Sequence, residues 1–161
     1  MGARLDVLRA ELLLTRNDLL ATIATLAADD LARPTHNGYA DVHDTLAHLA
    51  SAESGRLLLT RACLLLYPLS VPHFVINGVN GFNVGMKKRR SIEALKRDLE
   101  AGRVKTWRWL DRLRERDLDR RLNDPIYGRR TLAEVIRLGH AGHERAHLDE
   151  IRRALNYLPK P

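Results

Sequence analysis

A single cysteine, Cys63, occurs in the chain. That excludes a disulfide framework and any Cys-rich zinc module, and it fits a reducing cytosol. Aromatic residues are scarce at 5%, and none is interleaved with the one compact basic run, Lys87-Lys88-Arg89-Arg90, where a nucleic-acid binder would stack bases. β-Branched residues rarely alternate with polar ones, which argues against half-buried strands. No stretch reaches the ~18 apolar residues of a membrane span, and the N-terminal residues lack a signal-peptide cleavage pattern. The expectation is a cytoplasmic protein with no membrane contact.

What is present is mostly leucine, alanine and arginine. At 161 residues the chain is one domain, 1–161, long enough to bury its own core. The net charge is +7, but the arginines are spread along the chain among Asp and Glu. They read as solvated, ion-paired helix faces rather than as a binding stripe, so no specific nucleic acid is expected.

Four helices are predicted, from Arg4 to about Ala27, Asp41 to Leu66, Ser91 to Glu115 and Thr131 to Asn156. Leu5, Leu8, Leu12, Leu19 and Leu26 give the first an apolar seam. Asp41 and Ser91 are N-cap types, and Thr131-Leu-Ala-Glu134 matches the capping box. The 24 residues from Tyr67 to Arg90 make an unusually long connection, so a short helical piece is expected near Val79 to Met86. A connection of that length can return the chain to the end it left, making helices two and three parallel. The predicted fold is an all-α four-helix bundle, up-down-down-up, with a long crossover between helices two and three.

Seven histidines are present, three of them in Gly139-His140-Ala-Gly-His143-Glu144-Arg-Ala-His147. At 100° per residue, His143 and His147 fall within the apolar stripe of helix four. Two imidazoles one turn apart can reach one ion at about 2.0–2.1 Å. His48, two turns into helix two, lies at a matching depth if helices two and four are antiparallel, and completes a candidate metal triad. His140 reads as a partner of the ligands or as bundle packing and, less favoured, as a ligand itself. His36, His43 and His73 read as surface or capping residues. His143-Glu144-Arg-Ala-His147 also matches the H-E-x-x-H zinc-hydrolase motif, which makes Glu144 a candidate base. Neither a downstream third ligand nor a substrate-holding strand is evident.

These residues resemble the DinB-like superfamily of metal-binding bundles. Asp41-Val-His-Asp-Thr-Leu-Ala-His48-Leu is similar to the family's second-helix segment. Val79-Asn80-Gly-Phe82-Asn83 with Ser91-Ile-Glu-Ala-Leu resembles the segment before its third helix. Gly128-Arg-Arg-Thr131-Leu-Ala-Glu134 and His143-Glu-Arg-Ala-His147-Leu-Asp-Glu-Ile151 resemble its last helix. The resemblance implies a divalent ion, zinc or nickel, on three histidines with positions open to water. It also implies up-down-down-up topology and frequent homodimers, and relatives that are transferases or isomerases using low-molecular-weight thiols.

The function expected is that of a metal-dependent enzyme, thiol-transferase-like or hydrolase-like, acting on a small molecule. An ion on neutral imidazoles can acidify a bound water or thiol, and its affinity is expected to fall below the ordinary imidazole pKa of ~6.5. The alternatives are a non-catalytic metal- or ligand-binding bundle and, less favoured, an H-E-x-x-H hydrolase or an Arg-rich nucleic-acid-associated protein. Asn77, Asn80 and Asn83 in the crossover read first as turn residues and a short-helix cap and second as amide donors, while Gly78, Gly81 and Gly85 are candidate pivots for a lid.

Overall fold

A computed structural model describes residues 2–36, 38–69, 71–72 and 85–156. The chain forms α1 (Ala3–Ala24), a 3-10 turn (Ala28–Ala32), α2 (Val42–Leu66) and α3 (Ile92–Leu110). A second 3-10 turn (Glu115–Asp119) leads to a hairpin of β1 (Arg121–Asp124) and β2 (Gly128–Thr131). The last rod has three parts: α4 (Leu132–Ile136), a π-helical stretch (Arg137–Gly142) and α5 (His143–Ala154).

The helix starts follow local chemistry. The side chains of Asp41, Ser91 and Thr131 accept from the backbone N–H groups of Asp44, Ala94 and Glu134. Each satisfies a donor that the first turn leaves without a helical partner. Thr131 and Glu134 form the reciprocal capping box. The third helix ends at Leu110, five residues before the predicted Glu115.

Side-chain pairs fix the topology. Glu11 pairs with Arg137, and Asp18 with Arg152, so α1 and the last rod run parallel. Asp44 pairs with Lys88, and Glu53 accepts from Thr106, so α2 and α3 run parallel as well. Arg9 pairs with Asp111, and Arg103 donates to the Leu12 carbonyl, which sets α1 against α3. The bundle is up-down-down-up, with the long connection between α2 and α3. Most of that connection, including Asn77, Asn80, Asn83, Gly78 and Gly81, lies outside the described residues, as do His73 and most of the short helix expected at Val79 to Met86. Gly85–Lys87 is helical.

The hairpin was not expected. Its strands pair Arg121 with Thr131 and Asp124 with Gly128, and Leu122 carries it into the core at 0% exposure. Each strand has four residues, too short for a period-two pattern to be read.

Two apolar clusters form the core. One holds Leu5, Leu8, Leu12, Leu110, Leu132 and Ile136. The other holds Leu19, Leu46, Leu49, Leu99, Leu148 and Ile151. Between them lies a charged layer with one residue from each helix of the bundle: Arg16, Glu53, Arg103 and Glu144, none more than 6% exposed. Both Glu144 oxygens accept from Arg16, at 3.0 and 2.7 Å, and one also accepts from Arg103 at 2.7 Å. Glu53 accepts from Arg16 at 2.9 Å, Arg103 at 3.2 Å and the Thr106 hydroxyl at 2.8 Å. Two cations meet two anions, which is the condition under which buried charges are tolerated.

Glycine makes room for the charges. A Cβ on Gly102 would lie 2.6 Å from Glu53 Cγ, and one on Gly139 would lie 2.2 Å from Arg56 Nε. Arg56 is held there by Asp124 at 2.6 Å and by the face of Tyr127, so it cannot retreat without losing a buried charged partner. Gly139→Ala should therefore cost about 1.5–3 kcal/mol, the range for a hydrogen bond to a charged group. A urea-unfolding midpoint unchanged from wild type would show that the guanidinium re-seats freely.

Candidate metal centre

His48, His143 and His147 come together as the sequence reading requires. One ligand atom from each lies within 4.8 Å of the others, and His48 is buried while the other two are partly so. His48 Nε2 and His143 Nε2 are 3.0 Å apart. Two nitrogens on one tetrahedral ion at 2.0–2.1 Å stand roughly 3.3 Å apart, so the pair already has ligand spacing. The rings meet edge to face, with centroids 4.6–5.1 Å apart. Tyr39 stacks on His48 at 4.5 Å and meets His147 edge-on at 5.7 Å. The sequence reading missed this tyrosine, which lies in the connection before α2 where no periodicity marks it.

The last rod differs from the expected wheel in one respect. A π turn takes up an extra residue, so the face defined by Leu132, Val135 and Ile136 continues on His140 and then on Glu144, Leu148 and Ile151. His143 and His147 move off the centre of that face toward α2, where His48 waits. Turns of this kind recur at functional sites because they re-aim side chains without ending the helix. Glu144, the candidate base, takes the core position and spends both oxygens on Arg16 and Arg103.

The other histidines separate. His140 is 3% exposed and its Nδ1 lies 3.9 Å from a Glu53 oxygen. His43 Nε2 contacts the Arg90 carbonyl at 2.9 Å, and His36 is exposed. In the basic run, Lys87, Lys88 and Arg90 are paired with Asp98 or Asp44. Cys63 lies in the other apolar cluster, away from the imidazoles, and burial raises its thiol pKa.

Electrostatics keep the three imidazoles neutral. Burial, with the proximity of His147, lowers His48 to about 4. Burial, with the neighbouring histidines and Arg56, lowers His143 to about 3. Burial also lowers His147, against an opposing effect of Glu150. For Glu53 burial acts upward, but the nearby guanidinium groups of Arg103 and Arg16 help hold the carboxyl well below the usual range. Burial works against the Arg16 charge too, yet Glu144 and Glu53 keep its pKa above the ordinary value.

A stability prediction follows with a definite sign. These imidazoles bind protons more weakly in the folded chain than in the unfolded chain, where they titrate near 6.5. Above that pH neither state is charged and no stability is lost. As pH falls from 6.5 toward about 4 for His48 and about 3 for His143, the unfolded chain takes up protons first and stability drops. Urea midpoints of metal-free protein should decline between pH 7 and 4.5, and less steeply in a His48→Asn/His143→Asn variant. Equal slopes would mean that the rings titrate as if solvated.

The donor set is three neutral nitrogens, and among the described residues no carboxylate or thiol joins it. That set suits zinc, nickel or copper and disfavours magnesium and calcium, which require oxygen.

The fold is shared with solved structures of low sequence identity. A protein from Clostridium difficile 630 superposes with a TM-score of 0.72 at 12% identity, over 99% of each chain. A Streptococcus pneumoniae protein gives 0.71 at 12% identity, over 99% of this chain and 94% of that one. The sibling lethal factor precursor DfsB gives 0.70 at 13% identity over the whole of both chains. No curated protein matches the sequence. The family model of the DinB superfamily matches residues 11–151. The chain belongs to the DinB superfamily.

Proposed function

We propose that this protein is a metal-dependent enzyme acting on a small molecule, with a divalent ion, zinc or nickel, held by His48, His143 and His147. The observation that carries this reading is the convergence of three imidazoles from two helices, with one ligand atom of each within 4.8 Å of the others. His48 Nε2 and His143 Nε2 can hydrogen-bond to each other at 3.0 Å, but a third imidazole with its ligand atom within 4.8 Å of both is the arrangement a divalent ion uses.

Bound there, a divalent ion would supply Lewis acidity, lowering the pKa of a water or thiol that reaches it. The protein's own groups set the surroundings. The ring of Tyr39 covers one side of His48 and His147 and restricts the approach. Glu144 is occupied by two arginines, so we assign it to holding α5 in place and not to proton abstraction, which removes the basis of an H-E-x-x-H hydrolase. A low-molecular-weight thiol is the proposed co-substrate, and a homodimer the proposed assembly, both by analogy with the superfamily.

The test is a screen of purified, zinc- or nickel-loaded protein with small thiols and electrophiles. Thioether formation that is abolished by chelation and restored by added divalent metal is the expected result. Turnover that persists in demetallated protein would remove the ion from the chemistry.

A further inference from the structure

Beside His143, on the side toward the charged layer, lies a cavity lined by Ala52, Glu53, Arg56, His140, His143 and Glu144. About 10 Å³ of it is open to the centre of a water molecule, enough for one water. Polar groups around it lack partners. Neither ring nitrogen of His140 makes a hydrogen bond, and Arg56 Nε and Nη1 make none either. Both residues are more than nine-tenths buried, His140 at 3% and Arg56 at 8% exposure. His140 cannot satisfy itself on Glu53, whose oxygen is 3.9 Å from its Nδ1, beyond hydrogen-bond reach.

We propose that this cavity holds one ordered water that joins His143 to His140, and that His140, with Glu53 behind it, is a positioning residue for the metal ligand. The space is enough for a water. Chemistry agrees, because arginine N–H groups need an acceptor and an imidazole nitrogen donates or accepts according to its tautomer; water can serve either way. The π stretch (Arg137–Gly142) is what turns His140 inward while leaving His143 on the α2 side. An outer partner of this kind fixes the orientation of a ligating ring, and its loss typically costs 10–100-fold in metal affinity. The positioning role rests on the metal reading above; the water itself does not.

Two measurements test it. A high-resolution crystal structure of metal-free protein should show one water within hydrogen-bond distance of a His140 nitrogen, and a dry cavity would overturn the proposal. Zinc affinity, measured by competition with a chromophoric chelator, should weaken about 10–100-fold in His140→Leu and largely recover in His140→Gln. Each variant should still bind one zinc. Wild-type affinity in His140→Leu would show that His140 positions nothing. A complete loss of zinc would make it a ligand instead. Should His140→Leu fail to fold, the His140→Gln affinity and the crystallographic water decide. If the wild-type protein takes up no zinc, the metal reading fails, while the water is still judged by the crystal structure.

Discussion

His143→Ala should take zinc from one ion per chain to essentially none after gel filtration, measured by elemental analysis. In the proposed site His143 Nε2 lies 3.0 Å from that of His48, and each of the three rings packs on the other two. If the ion sits on these three residues, removal of one leaves it two protein ligands, and zinc prefers four partners. His48→Ala and His147→Ala should behave alike. His43→Ala, whose ring at the start of α2 contacts the Arg90 carbonyl ahead of α3, should keep its zinc and serves as the control. Full occupancy in His143→Ala would mean that the ion sits elsewhere.

The second large effect belongs to the charged layer. Glu144→Ala removes an anion that binds Arg16 through both oxygens and Arg103 through one. Glu53 is then left facing two buried guanidinium groups. Breaking a buried ion pair by removing one partner typically costs 3–5 kcal/mol, against about 5–15 kcal/mol for a whole domain. The urea midpoint should fall accordingly. Removing one charge of each sign, in Glu144→Leu/Arg103→Met, leaves Arg16 with Glu53 and should be more stable than Glu144→Ala. A loss below about 1 kcal/mol in Glu144→Ala, the range of exposed pairs, would show that water reaches the layer. Glu144→Gln should still bind zinc, since the carboxylate serves the arginines.

Much of this was legible in the sequence because its causes are local. Asp41, Ser91 and Thr131 cap helices through their own side chains, and short-range chemistry needs no tertiary knowledge. The parallel pairing of α2 with α3 was readable from the length of the connection, and the depth of His48 against His143 and His147 followed from it. The charged layer was overlooked although a signal existed. Arg16 sits in the α1 seam between Leu12 and Leu19, and Arg103 continues the line of Leu99 toward Leu110, spacings that place a charge inside. The π stretch left no comparable signal. A fixed 100° per residue carries His143 to the middle of the core stripe, and one added residue moves Glu144 there instead. Hairpin strands as short as Arg121–Asp124 and Gly128–Thr131 are stabilised by contacts made elsewhere, such as Asp124 with Arg56, which no local pattern encodes.

The central claim, that three histidines from two helices hold one divalent ion, is tested most directly by zinc-edge X-ray absorption on the loaded wild-type protein. The account predicts one zinc per chain with three imidazole nitrogens at about 2.0–2.1 Å. A first shell of sulfur or of oxygen alone, or protein that retains no zinc at neutral pH, would contradict it.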